Sequence, residues 1–106
     1  MEEALVKPLL FHDEAIAELD AAIAWYNDQH RGLGLALHVE VQAVLDRIPE
    51  NPQTGSLHGS RGYRFLQTKR FPYVVYWIER DAAIWIAAVA NAHRRPGYWK
   101  HREPGE

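Results

Sequence analysis

The chain has 106 residues, 47% of them apolar and 25% charged, which suits one folded domain and is too short for two. It contains no cysteine, which excludes a disulfide framework, a thiolate metal site and a cysteine nucleophile. The net charge is only −2, yet positions 1–60 carry three basic side chains against ten acidic ones, and positions 61–102 carry nine basic against two acidic. The second half therefore offers a cationic face to an anionic partner, either nucleic acid or an acidic protein segment.

The first residues, Met1-Glu2-Glu3-Ala4, lack the positive segment and apolar run of a signal peptide. No apolar stretch approaches the roughly 20 residues that cross a bilayer. The expectation is a cytoplasmic protein with no membrane partner. Leu5 to Phe11 reads as a strand. Asp13 is placed as the N-cap of a first helix, with Glu14 in its first turn. Ile16, Leu19, Ile23 and Tyr26 recur at i, i+3, i+7 and i+10 and form one apolar stripe. Gly32 stops that helix. A second follows with Leu37, Val41, Val44, Leu45 and Ile48 on one face, ended by Pro49 and Pro52. Positions 51–62, with Pro52, Gly55, Gly59 and Gly62, read as turns.

Beyond them the period changes. Tyr63–Lys69, Tyr73–Arg80 and Ala83–Asn91 are rich in aromatic and β-branched residues and read as a three-stranded antiparallel meander. The helical hairpin is the available cover for one face of that sheet. The expected fold is α+β, in the order β-α-α-β-β-β, with the hairpin packed on a small antiparallel sheet. It forms a single domain over 1–106, and positions 93–106, with Pro96, Gly97 and Pro104, form a basic, irregular tail.

The order of motifs resembles the RelE/ParE superfamily of toxins from type II toxin–antitoxin systems. Ala22-Ala-Ile-Ala-Trp-Tyr26 followed by Gly32-Leu-Gly34 is similar to the first-helix segment of ParE-like toxins, and Ile48-Pro-Glu-Asn-Pro52 to the close of their second helix. Arg64-Phe-Leu, then Lys69-Arg70-Phe71-Pro72-Tyr73-Val-Val-Tyr76, resembles the central hairpin with its Phe-Pro-Tyr turn. Ala87-Ala-Val89 and Arg94-Arg95-Pro96-Gly97-Tyr98-Trp99 resemble the last strand and the C-terminal motif. No single piece is specific; their order and spacing carry the resemblance over roughly residues 5 to 102. Many relatives place a histidine where this chain has Asn91, and His93 lies two positions later. The resemblance implies a toxin neutralised by a cognate antitoxin, in a hetero-oligomer, with roles in growth inhibition and plasmid stabilisation. RelE-like members cut messenger RNA at the ribosome, and ParE-like members poison DNA gyrase. Trp25-Tyr26 on the hairpin leans towards the ParE-like side.

Metal-free RNA cleavage needs a base for the 2′-OH, cations at phosphorus and an acid for the leaving 5′-oxygen. Arg64, Arg94 and Arg95 supply fixed charge that matches phosphate oxygens, and His93 titrates near neutrality. Tyr98 serves only if nearby cations lower its pKa. On a ribonuclease reading the catalytic set is Arg64, His93, Arg94 and Tyr98. On a binding reading the contacts are Trp25, Lys69, Arg70, Arg94, Arg95 and Trp99. The competing bland reading is a solvated basic tail with Tyr98 and Trp99 packed back on the sheet. Lys69 and Arg70 read better as charges guarding a sheet edge. Trp25 and Tyr26 cannot both face the core, so Trp25 either packs under the second helix, the more ordinary outcome, or is left to anchor a partner. His12, His30, His38, His58 and His101 show no metal-ligand spacing, and no nucleotide-binding glycine motif is present. Neither a metal nor a cofactor is expected.

Overall fold

A computed structural model describes residues 6–95 and 97–102; positions 1–5, with Leu5 of the expected first strand, Pro96 and positions 103–106 lie outside them. The element order is β1 (Leu9–Phe11), α1 (Asp13–Gln29), α2 (Leu33–Glu50), β2 (Ser56–His58), β3 (Tyr63–Gln67), β4 (Tyr73–Glu79) and β5 (Ile84–Asn91). The five strands form one sheet in the order β1-β5-β4-β3-β2, antiparallel except that β1 runs parallel to β5. The α+β architecture of a helical hairpin on a sheet is thus present, with one strand more than the turn-rich reading of 51–62 allowed. That strand, β2, is a three-residue edge paired with Tyr63–Phe65, and its Leu57 is exposed. A strand this short, with no buried face, has no alternation to detect.

The N-cap of α1 is His12 rather than Asp13, with its Nδ1 accepting the Glu14 amide at 3.0 Å. The apolar stripe is also displaced. Ile16 is 46% exposed, and the buried positions of α1 are Ala15 and Ala22, with Leu19, Ile23 and Tyr26 packed at the margin of the core. Small residues face the sheet because α1 lies close over β5. In α2 all five expected positions are buried, and Pro49 sits in the last turn, one residue before the helix ends at Glu50.

The two helices meet tightly at Gly34. A Cβ there would stand 2.4 Å from the Ile23 carbonyl, and the Gly34 amide is already held at 2.8 Å by the Asn27 side chain. The turn between the helices closes on Gly32 in the left-handed region, φ +91°, where a side chain is strained.

Two apolar clusters flank the sheet. One joins the helices to Val75, Trp77, Ile84, Ile86 and Val89. The other lies on the opposite face and centres on Trp99, which is 1% exposed among Tyr63, Tyr76 and His58. The hairpin is therefore not the sole cover. The tail folds back as turns over the second face, an outcome the bland reading of Tyr98 and Trp99 contained.

Candidate functional site

The site begins with a strand edge. β1 pairs with β5 as far as Ile86, and among the described residues no strand lies beside the outer edge of β5 from Ala87 onward. The β4–β5 register slips at the same place, with Tyr76 opposite Ala88 and Trp77 opposite Ile86, which leaves Ala87 as an extra residue. The Ala87 carbonyl and the Val89 amide then need partners from outside the sheet. Arg102 Nη1 donates to the Ala87 carbonyl at 3.1 Å, and the Val89 amide donates to Glu18 Oε1 at 3.0 Å. A helix side chain and a tail side chain thus close the edge that β1 leaves open.

Those two side chains also bind each other. Arg102 Nη2 reaches Glu18 Oε2 at 2.9 Å and Glu14 Oε1 at 3.1 Å, and the Tyr98 hydroxyl donates to the same Glu18 oxygen. Arg102 is 5% exposed, and its carbonyl accepts the Trp85 indole N–H at 3.3 Å. Burial works against its charge, but the Glu18 carboxylate outweighs that, and the guanidinium is held above its ordinary value. The phenol of Tyr98 goes the same way. Burial, the hydrogen bond to Glu18 and the charge of Glu18 all raise it, and the neighbouring Arg102 and Arg94 do not reverse the shift. The sequence-based requirement that cations lower the Tyr98 pKa is therefore not met.

Next to this buried network a depression of about 220 Å³ opens between α1 and the tail, with Trp25, Tyr73, Asn91, Arg94, Tyr98 and Glu18 among its walls. Trp25 is 57% exposed and edge-on to Tyr26, whose ring packs on Phe71 at 5.0 Å. Arg94 stacks over the Tyr98 ring with its guanidinium carbon 3.7 Å from the centroid. Asn91 lines the depression, but its carboxamide is no acid or base. Its Oδ1 accepts the His93 amide at 2.8 Å and its carbonyl the Arg94 amide at 3.0 Å, so it shapes the turn that starts the tail.

Of the residues singled out in the sequence, the structure brings together Trp25, Arg94 and Tyr98, three positions from distant parts of the chain. It leaves the others elsewhere. Arg64 projects from β3 into a separate depression, with Nη1 at 3.4 Å from the Gly55 carbonyl. Lys69 and Arg70 sit on the β3–β4 turn, where Glu40 of α2 accepts the Arg70 amide at 2.9 Å and its Nε at 2.7 Å. Burial opposes the charge on Glu40, but these bonds to Arg70 hold its carboxyl below the usual range. His93 and Arg95 are exposed on the tail and line neither of these depressions. Trp99 is buried in the second cluster, so it holds the tail down and presents no surface.

Glu18 is the residue the sequence reading missed. Carboxylates of amphipathic helices ordinarily lie on solvated faces, and Glu18 instead points inward, its side chain only 17% exposed. A signal existed: Ala15, Glu18, Ala22 and Trp25 lie at i, i+3, i+7 and i+10. A carboxylate between two alanines that both turn out to be buried is on the face that meets the sheet.

No protein-family model matches the sequence, and no curated protein matches it. Solved structures do match by shape. A chain of the chromosomal ParDE TA system from P. aeruginosa superposes with a TM-score of 0.73 at 19% identity, covering 83% of this chain and 98% of that one. A double arginine-to-alanine mutant of the E. coli toxin RelE in the free state gives 0.64 at 14% identity, covering 92% and 94%. The same RelE mutant in complex with an antitoxin RelBc peptide gives 0.63 at 17% identity, covering 93% and 97%. The chain has the fold of the ParDE and RelE structures.

Proposed function

We propose that this chain is the toxin of a type II toxin–antitoxin pair, acting in the cytoplasm by binding a macromolecular target, DNA gyrase in the first instance, and not by cutting RNA. The shared fold and the motif order support the toxin. The binding mode rests on one observation: the Tyr98 proton is held by Glu18 inside a buried network, while Arg64 and His93 stand apart from it. Acid–base catalysis needs its groups within hydrogen-bond reach of one substrate, with pKa values near the working pH. Here the clustered phenol is shifted away from neutrality. What the cluster offers a partner is an exposed aromatic beside a fixed cation, the residue types that anchor protein interfaces.

The cognate antitoxin neutralises the toxin in a hetero-oligomer, bringing a helix or strand whose carboxylates meet Arg94 and Arg95. The test is expression of the chain alone, with pulse-labelling of DNA and protein synthesis soon after induction. An early stop in DNA synthesis with a DNA-damage response is expected. An early stop in protein synthesis with cut transcripts would instead establish the ribonuclease, and healthy growth with soluble protein would leave a chain that binds an antitoxin and does little else.

A further inference from the structure

A further depression, of about 360 Å³, runs between α2 and the end of β3 with the turn after it. It shares no lining residue with the groove beside Trp25 and Arg94. Its α2 side is apolar, with Val39, Ala43 and Val44. Leu35 stands one turn before Val39 on the same face of the helix, and the two are 65% and 57% exposed. The sheet does not use these positions. The stripe of α2 that enters the core is Leu37, Val41, Val44, Leu45 and Ile48, so Leu35, Val39 and Ala43 form a second apolar stripe on another face. Single apolar side chains on a surface are ordinary, but here two large ones in helical register open onto a hollow.

The charges around the hollow choose its occupant. Arg47 lies one turn beyond Ala43, and Lys69 lies across from the helix; both are exposed, and neither side chain is held in an ion pair among the described residues. The carboxylate in the wall, Glu40, is 15% exposed and already accepts the Arg70 amide at 2.9 Å and its Nε at 2.7 Å. Asp46, beside Arg47 in the chain, accepts from Gln42 at 2.9 Å and is not part of the wall. A second copy of the chain suits this surface poorly. Two such stripes packed antiparallel about Val39 bring Arg47 near Arg31, and packed parallel they bring Arg47 near its own counterpart, so like charges meet either way. We propose that the groove formed by Leu35, Val39, Ala43 and Arg47, with Lys69 on its far rim, docks an acidic amphipathic helix of a partner protein. Its apolar side chains, three and four residues apart, fill the hollow, and its carboxylates reach Arg47 and Lys69. From Leu35 to Arg47 the helix rises about 18 Å, which sets a partner segment of about three turns. The proposal does not rest on the toxin reading, because none of the residues from which the binding mode was argued lines this groove.

The test is a titration of the whole chain with a synthetic helical peptide of about 14 residues, long enough for that span. It carries leucines alternately three and four apart, flanked by glutamates. A second peptide replaces every glutamate by lysine, and a third keeps the composition but scrambles the spacing. Backbone amide shifts locate the contact and calorimetry gives the affinity. With the acidic peptide, saturable shifts are expected at positions 35–47 and 67–69, and the other two peptides should bind about tenfold or more weakly. Val39→Asp should weaken the acidic peptide by a similar factor, and because Val39 is exposed the variant keeps its fold. Arg47→Glu should weaken the acidic peptide and strengthen the lysine one, a reversal that a loss of structure does not produce. Leu57→Ser, an exposed apolar position away from the groove, should bind like the parent. No saturable shift, shifts confined to the groove beside Trp25, or equal affinity for the scrambled peptide or in Val39→Asp would overturn the proposal. So would a dimer of the free chain that Val39→Asp disperses on gel filtration, since a second copy would then cover the stripe.

Discussion

Replacing Glu18 by Gln keeps the shape of the side chain and removes the charge that Arg102 faces. Arg102 is 5% exposed, and the carboxylate it would lose lies at 2.9 Å on a side chain 17% exposed. Breaking one partner of a buried ion pair costs about 3–5 kcal/mol. Two features reduce that figure: Glu14 remains at 3.1 Å on a side chain 59% exposed, and the Ala87 carbonyl still accepts from Nη1. The expectation is about 2–3 kcal/mol, which for a domain of this size lowers Tm by roughly 10–20 °C. Urea unfolding followed by tryptophan fluorescence measures it, with Trp85 and Trp99 reporting on the tail. A double-mutant cycle with Arg102→Met should give a coupling above about 1 kcal/mol. A Glu18→Gln variant within about 0.5 kcal/mol of the parent, or an additive cycle, would refute the account of the tail as pinned through Glu18.

Stability should also fall in alkali. The folded Tyr98 phenol titrates above its unfolded value of about 10, so its contribution is complete below that pH and is lost as pH rises towards the folded value. Urea midpoints between pH 8 and pH 11 should show that slope, and Tyr98→Phe should flatten it; an unchanged slope would place the titrating group elsewhere. Gly34→Ala sets a helix-propensity gain of about 1 kcal/mol against a Cβ 2.4 Å from the Ile23 carbonyl, a backbone atom with little freedom to move. Overpacking costs about 1–3 kcal/mol, so the variant should be less stable by thermal unfolding, and a gain in Tm would show that the hairpin crossing has slack. Arg94→Glu removes an exposed cation–ring contact of about 0.5–1 kcal/mol, which the fold should survive. Growth inhibition should nevertheless vanish, and a fully toxic Arg94→Glu strain would rule out the groove as the contact surface.

Much of the fold was legible because its periodicities are long. The α2 stripe and the three strands of the meander each repeat over enough residues for burial to impose its spacing. The shifts have local causes. Ile16 looks like a core residue by spacing, yet α1 approaches β5 through Ala15 and Ala22, and a helix held by small residues excludes a larger neighbour from the contact. The site was half legible. Trp25, Arg94 and Tyr98 stood out as residue types with chemistry, and folding brings them together. Glu18 did not stand out, because its role depends on a slip in the β4–β5 register that frees the Ala87 carbonyl and the Val89 amide, and a bulge of this kind leaves no trace in composition. Arg64 failed as a member of the cluster for a topological reason: β4 lies between β3 and β5, and Arg64 opens into a different hollow from Arg94.

The tail serves two purposes, and its residues divide between them. Trp99 and Arg102 are buried, and Tyr98 donates its proton into the Glu18 network, so replacing any of them loosens the second face of the sheet. Activity lost in such a variant follows from the fold and says nothing about chemistry. His93, Arg94 and Arg95 are exposed on the same tail, and Trp25 is exposed across the groove, so their replacement leaves the buried network in place and reports chiefly on function. A ribonuclease would require Tyr98→Phe and His93→Gln to abolish cleavage while both proteins unfold normally. A binding toxin requires the opposite ranking: Arg94→Glu and Trp25→Ala silence the chain, His93→Gln leaves it active, and Tyr98→Phe acts only as far as it destabilises. The two readings invoke overlapping residues, but they order the four variants differently. That order, measured beside the unfolding midpoints, separates a surface that binds from a site that reacts.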